Sequence, residues 1–275
     1  MTAPLVLAGC GKMGGALLEG WIERGVEASS IIIVEPNANI AADMTARHGV
    51  TAVASPDEIE DAIGGGAAPD AVIFAVKPQV MDGVAPAYAR FSGHGGVFLS
   101  IAAGKTIAYF QEKLGGEAAI VRCMPNTPAA VRRGITVACP NRLVTPDQQR
   151  RCHELLEAVG EVAWIDEEEL LDAVTAVSGS GPAYVFLLAE CLAQAGVDAG
   201  LSEDLARRLA QATVSGSGEL MRQSSKTPEV LRLNVTSPGG TTAEALKVLM
   251  ADKGLRALMT EAVAAAARRA RELAD

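Results

Sequence analysis

The stretch Leu5-Val6-Leu7-Ala8-Gly9-Cys10-Gly11-Lys12-Met13-Gly14 decides the fold. Four consecutive apolar residues suit a short strand buried on both faces, and the glycines that follow fit G-x-G-x-x-G. Strand, glycine turn and helix in immediate succession form the first unit of a dinucleotide-binding fold. The first glycine permits the tight turn, and the second lets a pyrophosphate approach the backbone. The third lets the helix pack on the strand, with the helix N-terminus facing the anion. This assigns cofactor contacts to Gly9, Cys10, Gly11, Lys12 and Met13.

Working outward, further short branched runs repeat the pattern: Ile31–Val34, Ala71–Ala75 and Val97–Ser100, each closed by turn residues. Amphipathic stretches from Met13 to Arg24 and from Ala38 to His48 lie between them. Strand and helix in alternation give a doubly wound α/β sheet. Residues 119–123, 135–138 and 162–165 add further strands. Glu35, closing the second strand, is placed to accept hydrogen bonds from the adenosine ribose, which favours NADH, with Asn37 beside it. Lys77 and Pro78, after the fourth strand, fall beside the ligand crevice. There Lys77 either pairs with a phosphate or simply precedes a helix that Pro78 opens.

After Trp164 the texture becomes helical. Asp166 and Glu169 have the spacing of a capping box for a long helix. Leu201–Met221 and Lys253–Leu273 read as two more helices. These are Ala-rich and apolar on more than one face, which implies burial against another copy of the chain. The expected organisation is a Rossmann-like α/β domain over 1–165 and an all-α dimerisation and substrate-binding domain over 166–275. Ser237-Pro238-Gly239-Gly240-Thr241-Thr242 exposes backbone N–H groups at the start of a helix running to Met250, a receptor for a carboxylate or else a capped Gly-Gly turn.

Whole-chain properties narrow the function. The 275 residues carry a formal net charge of -9 with a pI near 5.0, so nothing electrostatic draws the chain to nucleic acid or anionic lipid. The N-terminus, Met1-Thr2-Ala3-Pro4, lacks the pattern of a secretory signal, and no apolar stretch reaches the length of a bilayer span. Five scattered cysteines without a CxxC pair suit reduced thiols in the cytosol and no metal site. The three histidines have no carboxylate partner at useful spacing, which disfavours alcohol oxidation by a His relay.

The fingerprint, Ala75-Val76-Lys77-Pro78, Arg122-Cys123-Met124-Pro125-Asn126-Thr127-Pro128, Ser178-Gly179-Ser180-Gly181-Pro182-Ala183-Tyr184 and Ser237–Thr242 follow one another along the chain. In that order they resemble the signatures of the pyrroline-5-carboxylate reductases. The resemblance implies hydride transfer from NADPH, with NADH as the alternative, to the imine carbon of 1-pyrroline-5-carboxylate, giving L-proline. It implies cofactor contacts from Ala75, Val76, Lys77, Pro78, Ala102, Ala103, Gly104 and Asn234, and a place for Met124–Pro128 near the nicotinamide. Ser55 stands where relatives often carry Asn near the adenosine. Gly239, Gly240, Thr241 and Thr242 hold substrate, and Thr242 and Ser237 carry the catalytic role, with Thr242 near the ring nitrogen. Gly179 and Gly181 serve close helix packing, and Pro182 marks a kink or helix start. The implied partners are a small-molecule substrate and further copies of the chain, dimers joined through the C-terminal helices, in the cytoplasm. Two other readings share the fingerprint. A β-hydroxyacid dehydrogenase would place a lysine on the first long helix, and Glu169–Ala195 has none. A non-catalytic dinucleotide sensor has no use for the Ser237–Thr242 cradle.

Overall fold

The structure, a computed structural model, describes residues 4–64 and 68–274, so the first three residues, read above for a leader, lie outside the described residues. The chain runs β1 (Leu5–Ala8), α1 (Lys12–Glu23), β2 (Ile31–Val34), α2 (Ala38–His48), β3 (Thr51–Val53), α3 (Ile59–Ile63), β4 (Ala71–Phe74) and α4 (Met81–Val84). It continues through β5 (Val97–Ser100), α5 (Ile107–Leu114), β6 (Ile120–Met124), β7 (Gly134–Pro140), α6 (Pro146–Glu157) and β8 (Gly160–Trp164). Helices follow: α7 (Leu170–Val174), a π turn (Thr175–Gly179), α8 (Gly181–Asp198), α9 (Glu203–Gln223), α10 (Pro228–Asn234), α11 (Thr241–Leu249) and α12 (Leu255–Ala274).

The strands form one sheet in the order β3-β2-β1-β4-β5-β6-β7-β8. The first six in chain order are parallel; β7 runs antiparallel to β6, and β8 runs parallel to β7. The order reverses between β1 and β4, and a crevice opens at such a switch point beyond the carboxyl ends of the strands. Alternation along each strand builds two cores. Leu5, Leu7, Ile31, Ile33 and Leu99 face Leu17, Leu18 and Trp21 of α1 and Leu155 of α6. Val6, Ala8, Ile32 and Val34 face the other way, with Phe74 stacked on Phe98 and Phe110 and edge-on to Tyr88. Aromatic pairs at these separations add to the free energy of area burial.

By compactness the chain divides into Met1–Gly179 with Ala267–Asp275, and Ser180–Ala266. Leu171 packs with Val137 and Cys139 of the sheet, so α7 belongs with the first unit. The capping box expected at Asp166 and Glu169 does not form. The N-cap of α7 is Glu169, without a side-chain cap bond, and the neighbouring Glu168 is used elsewhere. The long helix expected from Glu169 is interrupted by the π turn, and Pro182 sits in the first turn of the new helix.

In the helical unit α8 and α9 pack against each other, burying Ala206 and Ala210. No residue of α8 is buried, and Val185, Phe186, Leu187, Leu188 and Leu192 are exposed. Contrary to the sequence expectation, one run, Leu170–Asp198, is long and apolar enough by length and composition to cross a membrane; its mean hydropathy reaches 1.3. The same exposed apolar surface is what a helix docking on a second copy presents.

Candidate functional site

The three fingerprint glycines stand in different surroundings. Gly9 has φ +91°, and a Cβ there would lie 2.7 Å from Val76 Cγ1 and 3.1 Å from the Ala75 carbonyl. Only glycine accepts both the left-handed backbone and the approach of the chain after β4. At Gly14 a Cβ would lie 2.2 Å from the Gly9 carbonyl oxygen, so this position brings α1 against the turn. Gly11 is different: nothing lies within 4 Å of its would-be Cβ, so the space beside it is open. It is the N-cap of α1 and makes no side-chain cap bond. The first helical bond runs from Gly15 N–H to the Gly11 carbonyl, 2.8 Å, so the amides of Lys12, Met13 and Gly14 stay available. A cleft of about 560 Å³ lies over this helix start, lined by Cys10, Gly11, Lys12, Asn39 and Arg47. The residues fit a pyrophosphate: open amides, helix dipole and no side chain in the way.

The turn after β2 is tied to this loop. The Glu35 carboxylate, 9% exposed, accepts from Cys10 N–H through Oε2 and from Asn37 N–H through Oε1, both at 3.0 Å. Glu35 is therefore not a water-facing turn residue: each carboxylate oxygen takes one backbone amide and ties the fingerprint to the turn after β2. Asn37 caps α2, its Oδ1 accepting from Asn39 N–H at 3.0 Å and Ile40 N–H at 3.3 Å. Burial, reinforced by the Glu35 charge, pushes the Cys10 thiol up to about 12.

Other expected contacts are brought to the same edge of the sheet. Ala75 N–H donates to the Ala8 carbonyl at 2.8 Å, setting Ala75 and Val76 beside Gly9. Lys77 is exposed and precedes a 3₁₀ turn, Pro78–Val80, so the helix-start reading of this dipeptide is the one the backbone adopts. Ser55 caps its own turn: its hydroxyl accepts from Asp57 N–H at 3.3 Å, while its N–H donates to Glu58 at 3.0 Å. Ala102 N–H donates to Ser100 Oγ at 3.2 Å, and Ala103 is exposed. Gly104, φ +75°, abuts the chain end: a Cβ would lie 2.7 Å from the Leu273 carbonyl.

Sequence reasoning missed the Arg122–Glu168 pair. Arg122 is buried in the middle of β6, and its Nη1 donates to Glu168 Oε1 at 2.7 Å. The same oxygen accepts from Ile107 N–H at 2.8 Å. One carboxylate thus ties β6, the start of α5 and the approach to α7. An arginine inside an apolar strand pattern was the available signal. His48 also departs from expectation, since its Nε2 lies 3.8 Å from Glu19 Oε1.

In the helical unit, Asn234 ends α10 and is exposed. Ser237 turns the chain, its carbonyl accepting from Gly240 N–H at 3.0 Å, and Gly239 takes φ +67°. Gly240 is the N-cap of α11 and, having no side chain, makes no cap bond, so the amides at Thr241 and Thr242 stay open. Gly179 packs closely, as expected, with a would-be Cβ 2.5 Å from Met124 Cε. Gly181 does not, having nothing within 4 Å.

Residues 168–273 match the family described as pyrroline-5-carboxylate reductase dimerisation, and residues 5–104 match one described as NADP oxidoreductase coenzyme F420-dependent. The chain is 39% identical over 275 residues to the pyrroline-5-carboxylate reductase of Pseudomonas aeruginosa, covering 100% of this chain and 98% of that one. Its fold matches the solved structure of a pyrroline-5-carboxylate reductase from Coxiella burnetii with a TM-score of 0.92, 33% identity and full coverage of both chains. It also matches the Plasmodium falciparum enzyme with NADP bound, TM-score 0.81, 29% identity, covering 100% of this chain and 99% of that one.

Proposed function

The chain belongs to the pyrroline-5-carboxylate reductase family, and on that premise we propose that it reduces 1-pyrroline-5-carboxylate to L-proline with NADPH, as a step of proline biosynthesis. The observation that carries the reading is that one chain matched end to end contains two open helix N-termini of different kinds. One, at α1, suits a pyrophosphate; the other, at α11, suits a carboxylate.

The chemistry asks little of the protein. NADPH, when bound, supplies the hydride. The C=N π bond breaks as a C–H bond forms at the imine carbon, and nitrogen keeps a proton taken from solvent. The residues have to orient and restrain. Open amides of Thr241 and Thr242 hold the substrate carboxylate, Gly239 and Gly240 leave its approach free of side chains, and the Thr242 hydroxyl hydrogen-bonds the ring nitrogen. Ser237 fixes the turn that aims them. Gly9 to Met13, with Ala75 to Pro78 and Ala102 to Gly104, hold the cofactor, and Asn234 assists. The NADP named for the Plasmodium relative supports NADPH; Glu35 keeps NADH as the alternative, because a fixed carboxylate opposes a 2′-phosphate.

We further assign residues 1–165 to cofactor binding and 166–275 to substrate binding and assembly, with dimers formed through the C-terminal helices and joined into larger assemblies. The exposed apolar face of α8 supports a second copy as its occupant. All five cysteines are free, which supports a reducing, cytoplasmic compartment. The test of the cradle compares 1-pyrroline-5-carboxylate with 1-pyrroline, which lacks the carboxylate. The proposal expects KM to rise at least about tenfold for the second compound; equal KM values would remove the cradle from the mechanism.

A further inference from the structure

The π turn that breaks the chain between α7 and α8 holds a hydroxyl that the rest of the protein does not use. Ser178 Oγ is buried and has no hydrogen-bond partner among the described residues. Thr175, in the same turn, is satisfied, its Oγ1 donating to the Leu171 carbonyl at 2.7 Å. A buried hydroxyl left unpaired costs stability, and π turns concentrate at functional sites. The next residue, Gly179, lies so close to Met124 that a Cβ would stand 2.5 Å from its Cε. Met124 is the last residue of β6, so Ser178 is held near the carboxyl edge of the sheet. Strands β4, β5 and β6 make up the half beyond the switch point, which receives the second nucleotide when the pyrophosphate lies on α1.

We propose that Ser178 is a cofactor-binding residue whose hydroxyl hydrogen-bonds the carboxamide of the nicotinamide. This rests on the reading of the chain as an NADPH-dependent reductase. A carboxamide offers one acceptor and one donor, which a hydroxyl can meet in either direction without a counter-charge. The π turn then has a purpose, because it keeps the hydroxyl off the i−4 carbonyl that Thr175 uses.

The experiment measures binding of NADP⁺ and of 2′-phospho-ADP-ribose, which lacks the nicotinamide, to the wild-type protein and to Ser178→Ala. The proposal expects NADP⁺ to bind about 3- to 10-fold more weakly to the variant while 2′-phospho-ADP-ribose binds equally to both. The Tm of the free variant should be unchanged or higher, since an unpaired hydroxyl has gone. Equal affinity for NADP⁺, a parallel loss of both ligands, or a fall in Tm of several degrees would each overturn the assignment. Wild-type protein that binds neither ligand would defeat the reductase reading itself, an outcome distinct from failure at Ser178 alone.

Discussion

Glutamine at position 35 would test how far the dinucleotide turn is built by the protein itself. In Glu35→Gln the side chain keeps its shape and one carbonyl oxygen, which can satisfy Asn37 N–H or Cys10 N–H but not both. The other amide meets an NH₂ group and becomes a buried donor without an acceptor. A hydrogen bond to a charged group contributes about 1.5–3 kcal/mol, and Cys10 is too buried for water to replace it readily. Asn37 is exposed, so its amide recovers much of its loss in water. The expected net destabilisation is therefore about 2 kcal/mol, most of it from the Cys10 side. Urea unfolding of the cofactor-free protein measures it as a lower midpoint with unchanged slope. The same variant removes a negative charge near the ribose, so its NADPH-to-NADH ratio of kcat/KM should rise. Stability within about 0.5 kcal/mol of wild type would refute the clamp, because surface substitutions stay in that range.

Gly14→Ala would place a Cβ 2.2 Å from the Gly9 carbonyl, displacing the helix start, and kcat/KM should fall on the order of 10²-fold with the wild-type sedimentation profile kept. Thr242→Ala should lower kcat while leaving NADPH affinity, measured by titration, nearly unchanged. Arg122→Met would strand Glu168 with only Ile107 N–H as partner, costing about 3 kcal/mol in urea unfolding, the lower end of the range because Glu168 is partly exposed. Base should weaken the fold. Burial pushes the thiols of Cys10 and Cys152 up to about 12 and Cys139 up to about 11, from 9.0. The unfolded chain therefore loses these protons first, and the stability present below pH 9 declines progressively as pH rises towards 12. Serine at all three positions should flatten that decline in a stability-versus-pH series.

The strands of the first half were legible because burial on both faces leaves few polar residues, and β1, β2 and β5 begin and end where the apolar runs do. Direction was not legible. Nothing in the composition of β7 distinguishes an antiparallel strand, since the register with β6 is set by the turn between them. The acidic run after Trp164 misled for a physical reason: a carboxylate next to a helix start is as useful to a distant arginine as to the local amides, and Arg122 takes it. Lys77-Pro78 stayed ambiguous in sequence because a cation before a helix start serves either role. The fingerprint was legible where the chain itself crowds Gly9 and Gly14, while Gly11 has open space beside it. The clamp by Glu35 was not, because sequence gives the residue its position at the end of β2 but not the direction of its carboxylate.

The most direct test of the central claim follows nicotinamide absorbance in wild-type protein mixed with NADPH and 1-pyrroline-5-carboxylate. The account predicts saturable oxidation of NADPH with L-proline formed one for one. No oxidation with either NADPH or NADH, in protein shown to bind the cofactor, would contradict it.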